Sequence, residues 1–403
     1  MIKNMLEKNY FVSLKNRPSI SLLLGAGFSV PMGYPTAEMV NKKLIGFDFN
    51  CLKESPAGEL FYCKESGIIK NNYYRKNIVF CQQVINKYVT LHNNAFDYEK
   101  FYDFIFSPDI YNQPYCDISD SLHTKKERYC DLVDSLRYLF VQMLPLIIKD
   151  KNGNVWYDNK PTQIGHVNEY DTLLSNFSIW IKEGYIINVH TLNHDMLFES
   201  FNKTEYLSGM ICDGFDEFGS DYYGELLCNG ISNNVRLERY SARYNKPVRL
   251  YKLHGSFDYV LFYRQGRYSL IPNICIKTKY GIDFIKHSIR NKMKYEIFPF
   301  AYNPYCLSGI STKRTFYKDK VFFDKLHKRF QRNLDTAEKL IIIGYGGKDE
   351  GINEELLNNY EYDKKTTIII DPNPSDSLLN LSLKMNAKLI KKSVSDISMS
   401  DLQ

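Results

Sequence analysis

The sequence predicts an α/β fold built on a Rossmann-like open parallel sheet, and three observations carry that prediction. Short apolar runs recur at Ile20–Leu24, Tyr185–His190, Arg249–Leu253, Leu340–Ile343, Thr366–Ile370 and Ala387–Ile390. Several of them are continuous rather than alternating, the pattern of strands covered on both faces. Five of them end in a polar or glycine-rich loop, and helical periodicity fills the intervals between the last three.

Taken in order, Ile20–Leu24 runs into Gly25-Ala26-Gly27, a buried strand followed by a tight turn. Pro31, Gly33 and Pro35 continue the loop. Thr36 reads as an N-cap, with Glu38 in the first turn and Met39, Val40 and Leu44 on the apolar face. Over 47–167 the glycine signals fade and a helical insertion or subdomain is expected, Tyr129–Ile148 being its clearest helix. The rest of the sheet is expected over 185–400, interrupted by an insertion at about 215–248, with helices at Asn353–Tyr360 and Ser375–Lys384. No internal repeat or low-complexity linker divides residues 1–403, so they read as one domain.

Composition narrows the function classes. Charged residues make up 24% and hydrophobic residues 44% of the chain, ordinary for a soluble protein. The first residues have no apolar signal core, and the longest apolar run, Tyr138–Ile148, is too short to span a bilayer. A cytoplasmic protein without membrane contact is therefore expected. The nine cysteines lie at least twelve positions apart, which excludes a zinc ribbon of CxxC pairs and argues against a disulfide framework. Net charge is only +6. Basic clusters occur at Arg290–Lys294 and Lys325–Arg332; the second reads as a solvated helix face over the stripe Phe322, Leu326, Phe330, in preference to a nucleic-acid contact.

The chemistry-bearing residues sit in the loops that follow strands, where open α/β sheets bind ligands. Gly25, Ala26, Gly27, Phe28 and Ser29 form a turn whose glycines admit a phosphate and whose helix start offers free N–H groups; Val30 stands where a full dinucleotide fingerprint has its third glycine. Thr191-Leu192-Asn193-His194-Asp195 follows the second strand, and a helix cap by Asn193 or Asp195 is the competing reading. Lys252-Leu253-His254-Gly255-Ser256 exposes a histidine on a turn, although a lone histidine is more often structural. Gly344, Tyr345, Gly346, Gly347, Lys348 and Asp349 form a second glycine bend. Asp371-Pro372-Asn373 ends the next strand, where Asn373 or Asp371 suits a ribose hydroxyl and a plain proline turn is the alternative.

In order and strand context these motifs resemble the sirtuin family, and more closely its prokaryotic sirtuin-like (Sir2-like) NADase branch in anti-phage defence. GAGFS is similar to the family's GAG-x-S loop, TLNHD to its TxNxD motif, HGS to its catalytic His-Gly, and IGYGGKD to its later glycine loop. Asp371-Pro372-Asn373 resembles the adenosine-ribose segment. Weaker likenesses are Glu99 and Phe101 in FDYEKFYDF, Asp213-Gly214-Phe215, and Pro299–Tyr317 with SGISTKRTFY. The departure is the missing zinc module, which puts peptide deacylation in doubt.

The resemblance implies a sirtuin-type sheet binding NAD⁺ as substrate, without zinc or another metal. It places the pyrophosphate on Gly25–Ser29, with Thr36, Thr191, Gly344, Tyr345, Asp349 and Asn373 as further contacts. Asn193 would place a water, Asp195 would hold the carboxamide, and His254 would act as base; His194 is left structural. The implied activity is cleavage of the nicotinamide–ribose bond to nicotinamide and ADP-ribose, gated by homo-oligomerisation or by a hexameric HerA-type ATPase or Argonaute-type partner. A zinc-free deacylase or ADP-ribosyltransferase, and a non-catalytic NAD⁺ or ADP-ribose sensor, are the alternatives.

Overall fold

Seven strands pair in parallel: β1 (Ser19–Leu24), β2 (Ile186–Thr191), β3 (Ile211–Cys212), β4 (Val248–Lys252), β5 (Ala337–Ile343), β6 (Thr366–Ile370) and β7 (Lys388–Ile390). Their spatial order is β7-β6-β5-β1-β2-β4-β3. This is the open parallel sheet the apolar runs predict. The computed structural model describes residues 17–54, 60–62, 72–118, 129–149, 167–228, 230–265, 270–278, 282–289, 292–295, 304–310, 313, 317–319 and 321–403.

The strands are apolar without alternation because each face of the sheet meets its own core. Leu22, Leu24, Val189, Ile341, Ile343, Ile368 and Ile370 enter one cluster, while Leu23, Leu340, Ile342 and Ile369, on the opposite pleat, enter another. Burying each such side chain contributes roughly 1.5–3 kcal/mol.

Between β1 and β2 the described residues include α1 (Ala37–Ile45), α2 (Asn72–Leu91), α3 (Tyr98–Phe106) and α4 (Tyr129–Ile147). They share a separate core that includes Val40, Val84, Phe101 and Phe140. A short hairpin, Leu52–Glu54 with Leu60–Tyr62, lies among them. Helix α5 (Asp171–Lys182) places Leu173, Leu174 and Phe177 in the first sheet core. The other face is covered by α6 (Phe323–Thr336), α7 (Glu350–Asn359) and α8 (Asp376–Lys384), through Leu326 and Phe330, Ile352 and Leu356, and Leu378 and Leu381. Phe322, Leu326 and Phe330 are buried, as the basic helix-face reading of Lys325–Arg332 requires.

The antiparallel part of the molecule is not anticipated by the sequence. Gly214–Asp216, Glu238–Arg243, Tyr259–Gln265 and Leu270–Lys277 form one four-stranded sheet. Tyr222–Cys228, Ile231–Arg236, Ile282–Ile289 and Lys292–Tyr295 form another. These strands run on to residue 295, well past the expected end at 248. Apart from Tyr259–Tyr263 they lack continuous apolar runs, and Ile231–Arg236 is exposed at nearly every position. Of the Arg290–Lys294 cluster, residues 290 and 291 lie outside the described residues.

Cys51, Cys81, Cys116, Cys130, Cys212, Cys275 and Cys306 are free thiols. Among the described residues no helix is long and apolar enough to cross a membrane, and no group of three or more His, Cys, Asp or Glu is placed to hold a metal ion.

Candidate active site

At the carboxyl edge of the sheet, each loop stays tied to its neighbour for one residue beyond the strand. Leu253 N donates to Thr191 O, Leu192 N to Leu24 O, Gly25 N to Ile343 O, Gly344 N to Ile370 O and Asp371 N to Ile390 O, all at 2.9–3.1 Å. The five motif-bearing loops therefore leave the sheet side by side. The crossovers run from β1 toward β2 on one side and from β5 toward β7 on the other, so the topological switch point falls between β1 and β5.

That switch point is where the two glycine loops meet. Gly27 N donates to Gly344 O at 2.9 Å. A Cβ on Gly25 would lie 2.5 Å from Gly344 O, and one on Gly344, whose φ is +62°, would lie 2.2 Å from Phe28 N. These glycines are required by backbone-to-backbone packing, a reason distinct from the phosphate approach that the sequence suggests. Gly346 differs: it is exposed and its Cβ position meets nothing within 4 Å.

Within the first loop, Ala26 is exposed and Gly27 half-buried. The Phe28 ring is buried against Tyr170, with centroids 5.0 Å apart, and Tyr170 Oη donates to Phe28 O at 2.5 Å. Phe28 thus anchors the loop in the core, and its N–H donates to Gly25 O at 3.0 Å. Buried Ser29 donates to Asp195 Oδ2 at 2.9 Å and accepts from Asn193 Nδ2 at 3.0 Å. Asn193 Nδ2 also donates to Gly25 O at 2.9 Å.

Asp195 Oδ1 also accepts from Leu197 N at 3.0 Å, a side-chain turn just before the short helix Leu197–Ser200, whose N-cap position is Met196. Burial raises the Asp195 carboxyl above the ordinary range, against the opposing pull of Lys252, Leu197 N and Ser29. Thr191 is buried, its Oγ1 accepting from Asn193 N at 3.1 Å. His194 is buried, with its ring 5.5 Å from Phe257.

The turn after β4 is bound tightly to this loop. Lys252, 1% exposed, donates to Asp195 O and to Glu199 Oε1, the latter at 3.0 Å. Ser256 Oγ donates to His194 O at 3.4 Å. Gly255, at φ +78°, has no room for a Cβ, which would lie 2.1 Å from Tyr305 O. His254 is 4% exposed, and its Nε2 lies 3.1 Å from Tyr317 Oη and 3.3 Å from Asp349 Oδ2. Burial, reinforced by the Lys313 ammonium, lowers the His254 pKa to about 4, with Asp349 opposing.

Two residues expected to bind the cofactor have structural duties. Thr36 caps α1, accepting from Met39 N, and Asp349 caps α7, its Oδ1 accepting from Ile352 N at 3.1 Å. Tyr345 is buried, with its hydroxyl 3.0 Å from Asp349 O and 2.9 Å from Asn353 Oδ1, its single proton shared between these two acceptors. Asn373 is exposed, and its N–H donates to Asp371 Oδ1 at 2.8 Å.

The site also draws in residues to which sequence reasoning gives no role. Tyr317 reaches His254. Lys313, 6% exposed, pairs with Glu99 of α3 at 2.6 Å, and Ile310 N donates to Asp103 at 2.8 Å. The only sequence signals for them are the weak family likenesses at Glu99 and in SGISTKRTFY. A recess of about 430 Å³ borders the second glycine loop, lined by Gly347, Lys348, Asn353, Ser377 and Asn380 among others; neither Asn193 nor His254 lines it.

No family model matches the chain, and no curated protein matches it. Among solved structures it is similar to a Sir2 homologue in complex with NAD, with a TM-score of 0.40 and 10% identity over 100% of this chain and 93% of that one. It is also similar to a Sir2 homologue mutant in complex with ADP ribose, with a TM-score of 0.38 and 9% identity over 100% and 95% of the two chains. A further Sir2 homologue mutant with ADP ribose gives a TM-score of 0.38 and 10% identity over 98% and 94%.

Proposed function

We propose that the protein is an NAD⁺ hydrolase that splits the nicotinamide–ribose bond, and that it serves as an NAD⁺-depleting effector in anti-phage defence. The observation that supports this reading is the order of the loops along one sheet edge. From β6 through β5, β1 and β2 to β4 they present Asn373, Gly346, Ala26, Asn193 and His254 in turn. Four steps between adjacent strands of ~4.8 Å make about 19 Å, the scale of an extended dinucleotide. Exposed Asn373, Gly346 and Ala26 suit the solvated adenosine and pyrophosphate, whereas Asn193 is half-buried and His254 buried.

In the step itself the C1′–N bond breaks and its electron pair stays on nicotinamide, which leaves neutral. Positive charge develops on the ribose, as in glycoside cleavage. Water adds its oxygen to C1′ and yields one proton. His254, held neutral by burial, takes a proton from that water or from a ribose hydroxyl; general-base catalysis of this kind contributes ~10²–10⁴-fold in rate. Asn193 places the water, and Asp195 holds the carboxamide with acceptor capacity left after Ser29 and Leu197 N are served. Activity is held in check by oligomerisation or by a partner of the hexameric HerA-type ATPase or Argonaute class.

Chromatography of the products after incubation with NAD⁺, with and without the neighbouring gene product, tests this. Nicotinamide with ADP-ribose, or with its cyclic form, is expected. NAD⁺ left intact in both arms, or label transferred to protein instead, would overturn it.

A further inference from the structure

His254 is held by two partners whose own hydrogen-bond chemistry leaves one solution. Tyr317 Oη donates to Asp349 Oδ2 at 3.3 Å. A hydroxyl has one proton to give, so toward His254 Nε2, 3.1 Å away, Tyr317 can only accept. Asp349 Oδ2, 3.3 Å from the same nitrogen, is an ionised acceptor. Both contacts therefore require a proton on Nε2. The opposite tautomer would set an Nε2 lone pair against the carboxylate and leave the Tyr317–Asp349 contact without a hydrogen.

Both partners are fixed from behind. Asp349 caps α7 through Oδ1 and receives Tyr345 Oη on its carbonyl. Hydrogen bonds from His254 and Ile352 N, with the charge of Lys313, outweigh burial and keep its carboxyl well below the usual range. The Tyr317 ring lies tilted against His327, with centroids 3.8 Å apart, and that imidazole contacts Glu355 at 2.9 Å. Gly351 lets the ring lie on α7, where a Cβ would come 2.9 Å from Tyr317 Cε2. Burial and Asp349 push the Tyr317 hydroxyl well above its ordinary pKa, so it stays a donor.

We infer that Asp349 and Tyr317 are positioning residues that fix His254 as its Nε2–H tautomer, leaving Nδ1 as the nitrogen that takes the proton. The inference rests on the reading of His254 as a general base, and it gives Asp349 a task different from the cofactor contact implied by family resemblance. In a low-polarity site, fixing a tautomer raises the fraction of molecules ready to react.

The test is two-bond ¹H–¹⁵N correlation of the histidine rings in the full chain without NAD⁺, with His254 assigned by its loss in His254→Ala. A protonated Nε2 and an unprotonated Nδ1 are expected in the wild type. Asp349→Asn keeps a capping side chain on α7 and should fold. It should move the two nitrogen shifts toward each other and lower kcat roughly 10- to 100-fold with KM nearly unchanged. Tyr317→Phe keeps the ring on His327 and should give a smaller shift in the same direction. An unprotonated Nε2 in the wild type, or an unchanged tautomer in Asp349→Asn, overturns the inference. Because the ring signals are read without substrate, a chain that turns over no NAD⁺ but shows these shifts retains the positioning and loses only the hydrolase reading.

Discussion

Ser29 and Asp195, 166 residues apart in sequence, are joined by a buried hydrogen bond of 2.9 Å. It links the first glycine loop to the loop after β2, and Asn193 completes the link by donating to Ser29. Burial already favours the protonated Asp195, and the Ser29 donor opposes it. Ser29→Ala should therefore raise the Asp195 pKa further. If nicotinamide release needs the carboxylate, its acid limb moves to higher pH. A hydrogen bond to a charged group is worth ~1.5–3 kcal/mol, so a loss of about tenfold or more in rate is expected at neutral pH. Initial rates of nicotinamide release from pH 5 to 8 measure both effects; wild-type rates with an unmoved limb would remove this bond from the mechanism.

The glycines divide by cause. Gly344→Ala places a Cβ 2.2 Å from Phe28 N at a φ of +62°, and the backbone strain alone costs about 1–3 kcal/mol. Relief of that overlap must part the loops after β1 and β5. Gly346→Ala meets nothing within 4 Å. Thermal unfolding should show a clear loss for the first variant and almost none for the second, whereas KM for NAD⁺ should rise in the second if the pyrophosphate or ribose passes over Gly346. Equal melting temperatures for both would contradict the packing account.

His190 on β2 makes the fold acid-sensitive without entering the chemistry. It is fully buried, Nδ1 bonds Leu22 O at 3.0 Å, and Nε2 accepts from Asn333 Nδ2 at 3.0 Å. Protonating Nε2 would set two donors against each other, and burial lowers the pKa from 6.5 to about 3. A folded-state pKa below the unfolded one means stability that is present above pH 6.5 and lost as pH falls toward 3. Each proton taken up on unfolding costs ~1.4 kcal/mol per pH unit. Urea midpoints between pH 7 and 4.5 should fall less steeply in His190→Gln than in the wild type, whatever their offset at pH 7. Parallel curves would assign the acid loss to other groups.

How much of this was legible in sequence depended on what each residue contacts. The parallel sheet was, because Leu22–Leu24 and Ile341–Ile343 are buried on both faces and so write uninterrupted apolar runs. The loop positions of Asn193 and His254 followed from the strand ends. The antiparallel strands were not legible: Ile231–Arg236 faces solvent almost throughout and has no apolar signature to read. Nor was the reason for the glycines, since Gly25 and Gly344 lie 319 positions apart and only the fold brings their backbones together. The family likeness in SGISTKRTFY touches Tyr317, but its contacts were hidden for the same reason, its partners His254 and Asp349 coming from loops after two different strands.

Asn193 and His254 carry the decisive kinetic test. Asn193→Ala removes the donor to Gly25 O and Ser29 Oγ, both within the loop rather than in the hydrophobic core, so the fold should persist. His254→Ala vacates a nearly buried position but leaves the backbone bond from Leu307 N to His254 O at 2.7 Å, which holds the turn after β4 in place. Circular dichroism and melting should therefore report folded proteins, while nicotinamide release falls by ~10²–10⁴-fold in His254→Ala if the imidazole is the base. The wild-type rate should show no His254 titration between pH 6 and 8, because the lowered pKa of about 4 keeps the ring neutral across that range, with burial first and Lys313 next lowering it and Asp349 raising it. Full turnover in either folded variant would remove that residue from the reaction.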